Sequence, residues 1–176
     1  MGLARADFDR LVADHGAALY RVAYRMIGDA YDAEDVVQET YRSVWKGRHT
    51  FDSSRSQRAW LMAILRRRIA DRWRKHGKLP TLAAGDHELE VGVEDEAPWR
   101  DEYTDEVQHA LDQLSPELRE TLLLVVVGEL THQATADLLQ VPLGTVLSRV
   151  SRARSRLRKQ LSPGGGASDA HRPPVR

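Results

Sequence analysis

Residues 143–162 carry six basic side chains, Arg149, Arg152, Arg154, Arg156, Arg158 and Lys159, and no acidic one. On a helix turning about 100° per residue, this stretch is strongly sided. Val146, Val150, Ala153 and Leu157 fall on one stripe, and Ser148, Ser151, Arg152 and Ser155 on the opposite one. Most of the cations flank the two stripes. The apolar stripe can pack inward. A front of small residues lets the backbone approach the floor of a nucleic-acid groove. Arg152 is the one cation centred on that front, and a paired arginine–guanine hydrogen bond discriminates by roughly 1–3 kcal/mol. Flanking cations reach phosphates, which gives affinity without sequence information. Thr145 and the free N–H groups of the first turn also suit a phosphate.

A second basic cluster has different chemistry. Trp45, Phe51, Trp60 and Trp73 are interleaved with Arg48, Arg55, Arg58, Arg66, Arg67, Arg68, Arg72 and Arg74. Unpaired bases stack on aromatic faces while cations follow the backbone, so the mixture fits opened or single-stranded DNA. Trp45 and Trp60 sit on apolar faces and are expected in the core. His49 and Phe51 fall in a loop and are freer to meet a base. Upstream, Asp35, Gln38, Glu39 and Arg42 share one polar helix face, which by itself means only a solvated helix.

The elements that must position these residues are helical. Phe8, Leu11, Val12, Leu19, Val22, Ala23 and Met26 recur at helical steps, and Gly28 is expected to end that helix. Asp32 is the expected N-cap of a second helix, which Gly47 stops. Residues 48–55 read as a loop. Ser56 is the expected cap of a third helix, apolar from Ala59 to Leu65 and basic beyond. All seven prolines lie at or after Pro80. Residues 79–104 are acidic, hold Pro80, Gly85, Gly92 and Pro98, and read as a flexible, self-repelling linker. Helical pattern returns at Val107, Ala110, Leu111 and Leu114. Ser115-Pro116 is a restart signal, Ser as N-cap and Pro in the first turn. Leu122-Leu123-Leu124-Val125-Val126-Val127 is strand-like by propensity, but Leu118, Leu122, Val125 and Val126 keep the helical step. Gly128 supplies the stop.

Two short helices, about 131–139 and 143–160, follow and are joined through Gln140-Val141-Pro142. They make a helix-turn-helix, with the basic helix second. The competing reading is an ordinary helical hairpin. Gln140 counts toward it, because the turn position before Val141 often needs a left-handed backbone that glycine or asparagine adopts more readily. The expected fold is therefore all-α: two small helical modules, 1–78 and 105–162, joined by the linker 79–104, with a disordered tail 163–176.

Composition excludes other classes. The formal charge is zero, with 26 basic and 26 acidic residues, yet residues 1–78 carry 16 basic against 10 acidic and residues 79–106 carry 1 against 10. Separated basic clusters point to two polyanion-binding surfaces. No apolar run approaches the ~20 residues of a membrane helix, and the opening Met1-Gly2-Leu3-Ala4-Arg5-Ala6-Asp7 lacks the apolar core of a secretory signal. No membrane insertion and a cytoplasmic location are expected. With no cysteine, disulfides, thiolate zinc sites and a cysteine nucleophile are excluded. The histidines are scattered, without metal spacing, and no glycine-rich phosphate loop is present. No cofactor, metal site or enzymatic activity is expected.

Together the halves resemble a known family. Asp32-Ala33-Glu34-Asp35-Val36-Val37-Gln38-Glu39-Thr40 is similar to the polymerase-binding motif in the second conserved region of bacterial sigma factors. Phe51, Arg58-Ala59-Trp60-Leu61, Ile64 and Asp71 resemble the promoter-melting part of that region. Leu114-Ser115-Pro116-Glu117-Leu118-Arg119 and Pro142-Leu143-Gly144-Thr145-Val146-Leu147-Ser148-Arg149-Val150-Ser151-Arg152-Ala153-Arg154 resemble the fourth region. Their order and spacing, with an acidic linker between, resemble the compact extracytoplasmic-function (ECF) sigma factors.

The resemblance implies a non-enzymatic, promoter-selecting subunit of RNA polymerase. Asp35, Gln38 and Glu39, with Arg42 on the same face, would dock on core polymerase. The loop 47–56 and the basic helix, through Arg48, His49, Phe51, Arg66 and Arg67, would capture the minus-ten element. Thr145, Leu147, Ser148, Arg149, Ser151, Arg152 and Ser155 would read the minus-thirty-five element. An anti-sigma factor is an implied partner. Three positions depart from the family pattern. Arg67 stands where relatives commonly have Asn, Leu147 where the residue is often basic or polar, and Ala134-Thr135 in place of an acidic–Ile pair. The alternatives are a helix-turn-helix regulator that never joins polymerase, and a sigma mimic that sequesters another protein.

Overall fold

The computed structural model describes residues 5–49, 51–52, 56–75 and 105–162. The expected linker 79–104 and tail 163–176 lie outside them. The described residues form seven helices and no strand: α1 (Arg5–Ile27), α2 (Ala30–Lys46), α3 (Gln57–Lys75), α4 (Asp105–Asp112), α5 (Pro116–Val126), α6 (His132–Leu139) and α7 (Leu143–Leu161).

Helices α1, α2 and α3 pack on one another around Leu11, Leu19, Val22, Val36, Val44, Leu61, Met62, Leu65 and Ile69, all essentially buried. Gly28, at φ +81°, ends α1 as the sequence implies, in a backbone region open to glycine. The cap of α2 is a correction. It is Asp29, whose carboxylate accepts from the Asp32 N–H at 2.8 Å; Asp32 lies inside the first turn and is drawn to Arg72 on α3. Gly47 closes α2, and Ser56 Oγ accepts a long bond from the Ala59 N–H at the start of α3.

Helices α4 to α7 form the second group, with α7 packed against α4, α5 and α6. Leu111, Leu114, Leu118, Leu122, Leu123, Leu124 and Leu130 meet Val146, Val150 and Ala153 in its core. The strand-like run 122–127 is helical through Val126, because burying three successive leucines among helices outweighs propensity. Pro116 sits in the first turn of α5, but the Ser115 side chain makes no capping bond. At Gly128 any Cβ would lie 2.7 Å from the Leu124 carbonyl oxygen, so this turn admits only glycine.

The two groups touch. Helix α1 meets α5 and α3 meets α6, so the buried residues form one continuous cluster. Arg25 donates to Gln108 at 2.8 Å, Arg66 to Glu120 at 2.7 Å, and Arg58 pairs with Glu129.

Candidate nucleic-acid interface

The turn between α6 and α7 is built as a helix-turn-helix requires. Thr131 caps α6 by accepting from the Ala134 N–H at 3.0 Å. Gln140 takes the left-handed conformation, φ 55° and ψ 44°, despite its side chain. The Val141 N–H then reaches back to the Ala136 carbonyl at 3.1 Å, which reverses the chain within one turn. Pro142 precedes α7 and offers no side-chain cap to the first-turn N–H groups. Thr135, at the position where an aliphatic residue was expected, is fully buried. Its hydroxyl donates to the Thr131 carbonyl at 3.0 Å, so no polar group is left unmet there.

Val146, Val150 and Ala153 bury the back of α7. The opposite side is open: Leu147, Ser151, Arg152 and Ser155 are exposed, as are Arg154, Arg156, Arg158 and Lys159. Thr145, Ser148 and Arg149 are half-buried, and the Ser148 hydroxyl donates to the Thr145 carbonyl at 3.0 Å. Among the described residues, no carboxylate lies within ion-pairing distance of any α7 cation, unlike Arg58, Arg66, Arg68, Arg72 and Arg74 of α3. A helix with unmatched charge on a buried apolar back is suited to a polyanion.

Asp35, Gln38, Glu39 and Arg42 share one side of α2, three of them exposed and Glu39 half-buried. Arg72 reaches from α3 to Asp32 and, at 3.3 Å, to Asp35, and so fixes the start of that face. The Asp32 hydrogen bond, and then the charges of both carboxylates, raise the Arg72 guanidinium further above its ordinary value against some desolvation. Arg72 is thus part of the α2 face rather than a free cation.

The five candidate minus-ten residues are divided. Arg48 lies over the Trp45 ring at 4.5 Å and donates to the Trp45 carbonyl at 2.9 Å; His49 is exposed. Two aromatic expectations need correction. Phe51 is not free in a loop but packs on Trp60, with ring centroids 4.8 Å apart. Trp45, expected in the core, is 38% exposed and meets Phe8 edge-on. Arg66 and Arg67 instead line a cleft of about 400 Å³ between the two groups of helices. Met26, Trp73 and Leu138 supply its apolar wall, and Glu117 and Glu120 its acidic one. Nothing in the sequence marks that cleft, because its walls come from four helices. Among the described residues no group of three or more His, Cys, Asp or Glu could hold a metal ion, and no helix is long and apolar enough to cross a membrane.

The family model for sigma-70 region 2 matches residues 11–79, and that for sigma-70 region 4 matches residues 104–157. The chain is 34% identical over 164 residues to the ECF RNA polymerase sigma factor SigE of Mycolicibacterium smegmatis, covering 90% of this chain and 63% of that protein. It is 30% identical over 154 residues to the ECF sigma factor SigW of Bacillus subtilis, covering 81% and 82%. Among solved structures, the sigma factor RpoE in complex with the anti-sigma factor NepR from Bartonella quintana superposes with a TM-score of 0.71 at 27% identity, covering 90% of this chain and 98% of that one. With both regions matched in order and relatives matched along most of its length, the chain belongs to the ECF sigma factors, the family of transcription-initiation subunits of RNA polymerase.

Proposed function

We propose that this chain works in the cytoplasm as a binding subunit, not as a catalyst: it joins core RNA polymerase and selects and opens promoters. Residues 1–78 serve the polymerase and the minus-ten element, residues 105–162 the minus-thirty-five element, and residues 79–104 connect them. Asp35, Gln38, Glu39 and Arg42 form the polymerase-docking face. Arg48, His49, Phe51, Arg66 and Arg67 meet the minus-ten element. Thr145, Leu147, Ser148, Arg149, Ser151, Arg152 and Ser155 face the minus-thirty-five element. An anti-sigma factor is proposed as a further partner, since the solved relative from Bartonella quintana is held by one.

The observation that carries this reading is α7 itself, an apolar-backed helix whose open side holds cations without carboxylate partners among the described residues. The test is transcription in vitro. Core polymerase supplied with this chain should give promoter-dependent transcripts that core alone does not. Asp35→Ala with Gln38→Ala should weaken association with core about tenfold, as loss of two interface polar groups does, and titration of labelled chain with core reads it. Equal affinity would move the docking face elsewhere. Binding to duplex DNA without recruitment of core would replace this reading with that of a regulator.

A further inference from the structure

The N-terminal half of α7 offers less hydrogen-bonding chemistry than a base-reading surface ordinarily would. Gly144 has no side chain. The Ser148 hydroxyl proton is already given to the Thr145 carbonyl. Arg149 is half-buried on the flank. What this half does present is apolar: Leu143 and Leu147, one turn apart, are 40% and 48% exposed on a helix whose other aliphatic residues are directed inward as far as Ala153. Leu147 adjoins Ser151 on the next turn and is the largest exposed apolar side chain beside the small-residue front. Any surface that approaches Ser148 and Ser151 to van der Waals distance must therefore cover Leu147. The cations of the same helix make that surface a polyanion, not an apolar protein face.

In the major groove the one methyl group on a base edge is the C5 methyl of thymine, the usual partner of an apolar side chain there. Resting on the proposed function, we propose that Leu147, backed by Leu143, packs on a thymine methyl of the minus-thirty-five element. One T·A pair is then chosen by apolar contact, while Arg152 supplies the hydrogen-bonded choice one turn later. The methyl leaves water and the leucine loses exposure. No base pair is altered and the helix need not move.

Replacing thymine by deoxyuridine removes that methyl and leaves pairing intact. Holoenzyme reconstituted from the full chain and core polymerase is first used to select its upstream element from a randomised promoter library. Each thymine of the selected element is then replaced by deoxyuridine, and affinity is measured by competition. The expected result is a loss of roughly fourfold at one position, the size of one buried methyl-sized group. With Leu147→Ala holoenzyme the same replacement should cost nothing, because the partner is already gone. Deoxyuridine tolerated at every position, or an equal loss with the alanine variant, overturns the proposal alone. Failure of any upstream sequence to be enriched overturns the proposed function, and this contact with it.

Discussion

At the scale of single residues, polar groups in the core separate those with a bonding partner from those without one. Thr40 and Thr135 are fully buried, and each donates its hydroxyl to a carbonyl one turn back. Tyr41 differs. It packs edge-on to Phe8, and its hydroxyl is buried with no hydrogen-bond partner among the described residues. That oxygen lies 3.1 Å from where a Cβ on Gly16 would be, so the glycine makes room for it. Burial pushes the phenol up to about 12, so it stays neutral beyond the pH at which a free tyrosine ionises. Tyr41→Phe removes an unmet polar atom and keeps the ring. It should stabilise the chain by about 0.5–1 kcal/mol in thermal or urea unfolding. A loss of similar size would mean that an ordered water satisfies the hydroxyl. Such details were not legible in the sequence. Thr135 read as a misfit because the sequence shows its polarity, but not the Thr131 carbonyl one turn back that satisfies it. Phe51 read as free because its partner, Trp60, belongs to another element. By contrast, the buried back of α7 was legible in the sequence, because helical periodicity alone decides which positions Val146, Val150 and Ala153 occupy; Ser148 and Leu157, read on opposite stripes, are both half-buried.

At the scale of elements, the helices were legible wherever periodicity and a stop signal agreed, as at Gly28, Gly47 and Gly128. The cap of α2 shows the limit. Asp29 and Asp32 are both suitable caps three residues apart, and the choice depends on Arg72, which lies 40 residues further along in α3. The strand-like run of α5 shows the opposite case, where tertiary burial and helical spacing together override local preference. The α6–α7 turn holds the clearest local cost. A non-glycine residue in the left-handed region gives up about 1–2 kcal/mol, and Gln140 does so at an exposed position. Gln140→Gly should therefore stabilise the chain by about 0.5–1 kcal/mol after glycine's extra entropy is subtracted. The melting temperature should rise by a few degrees, and holoenzyme affinity for duplex promoter should stay unchanged. A lower melting temperature would show that the glutamine side chain contributes more than its backbone costs.

At the scale of the whole molecule, the described helices hold a candidate DNA-binding cation against the other half of the same chain. Arg66 on α3 is paired with Glu120 on α5, and Arg58 at the start of α3 with Glu129 after α5. These contacts are partly exposed: the Arg66 side chain retains 43% of its accessible surface and that of Glu129 59%. Pairs of this kind contribute at most about 1 kcal/mol each, and salt screens them. A cleft lies beside them, so among the described residues apolar packing between the halves is incomplete. A joint with polar ties and a gap opens far more easily than either core unfolds. Arg66 donates to Glu120 through Nε, so a DNA phosphate drawn to Arg66, as proposed for the minus-ten strand, would lie beside that carboxylate and be repelled by it; the proposed contact therefore favours the open arrangement. Glu120→Lys with Glu129→Lys turns both attractions into repulsions. The open fraction should then rise by roughly tenfold, the sum of two such surface pairs. Small-angle scattering at low salt should read this as a larger radius of gyration, and the wild-type chain should approach the same value as salt is raised. Restoring opposite charges, with Arg66→Glu and Arg58→Glu added to the lysine pair, should return the compact form, because the ties are then re-formed with their signs exchanged. An unchanged radius in the lysine variant would mean that the apolar contacts of α1 with α5 and of α3 with α6 hold the halves together unaided.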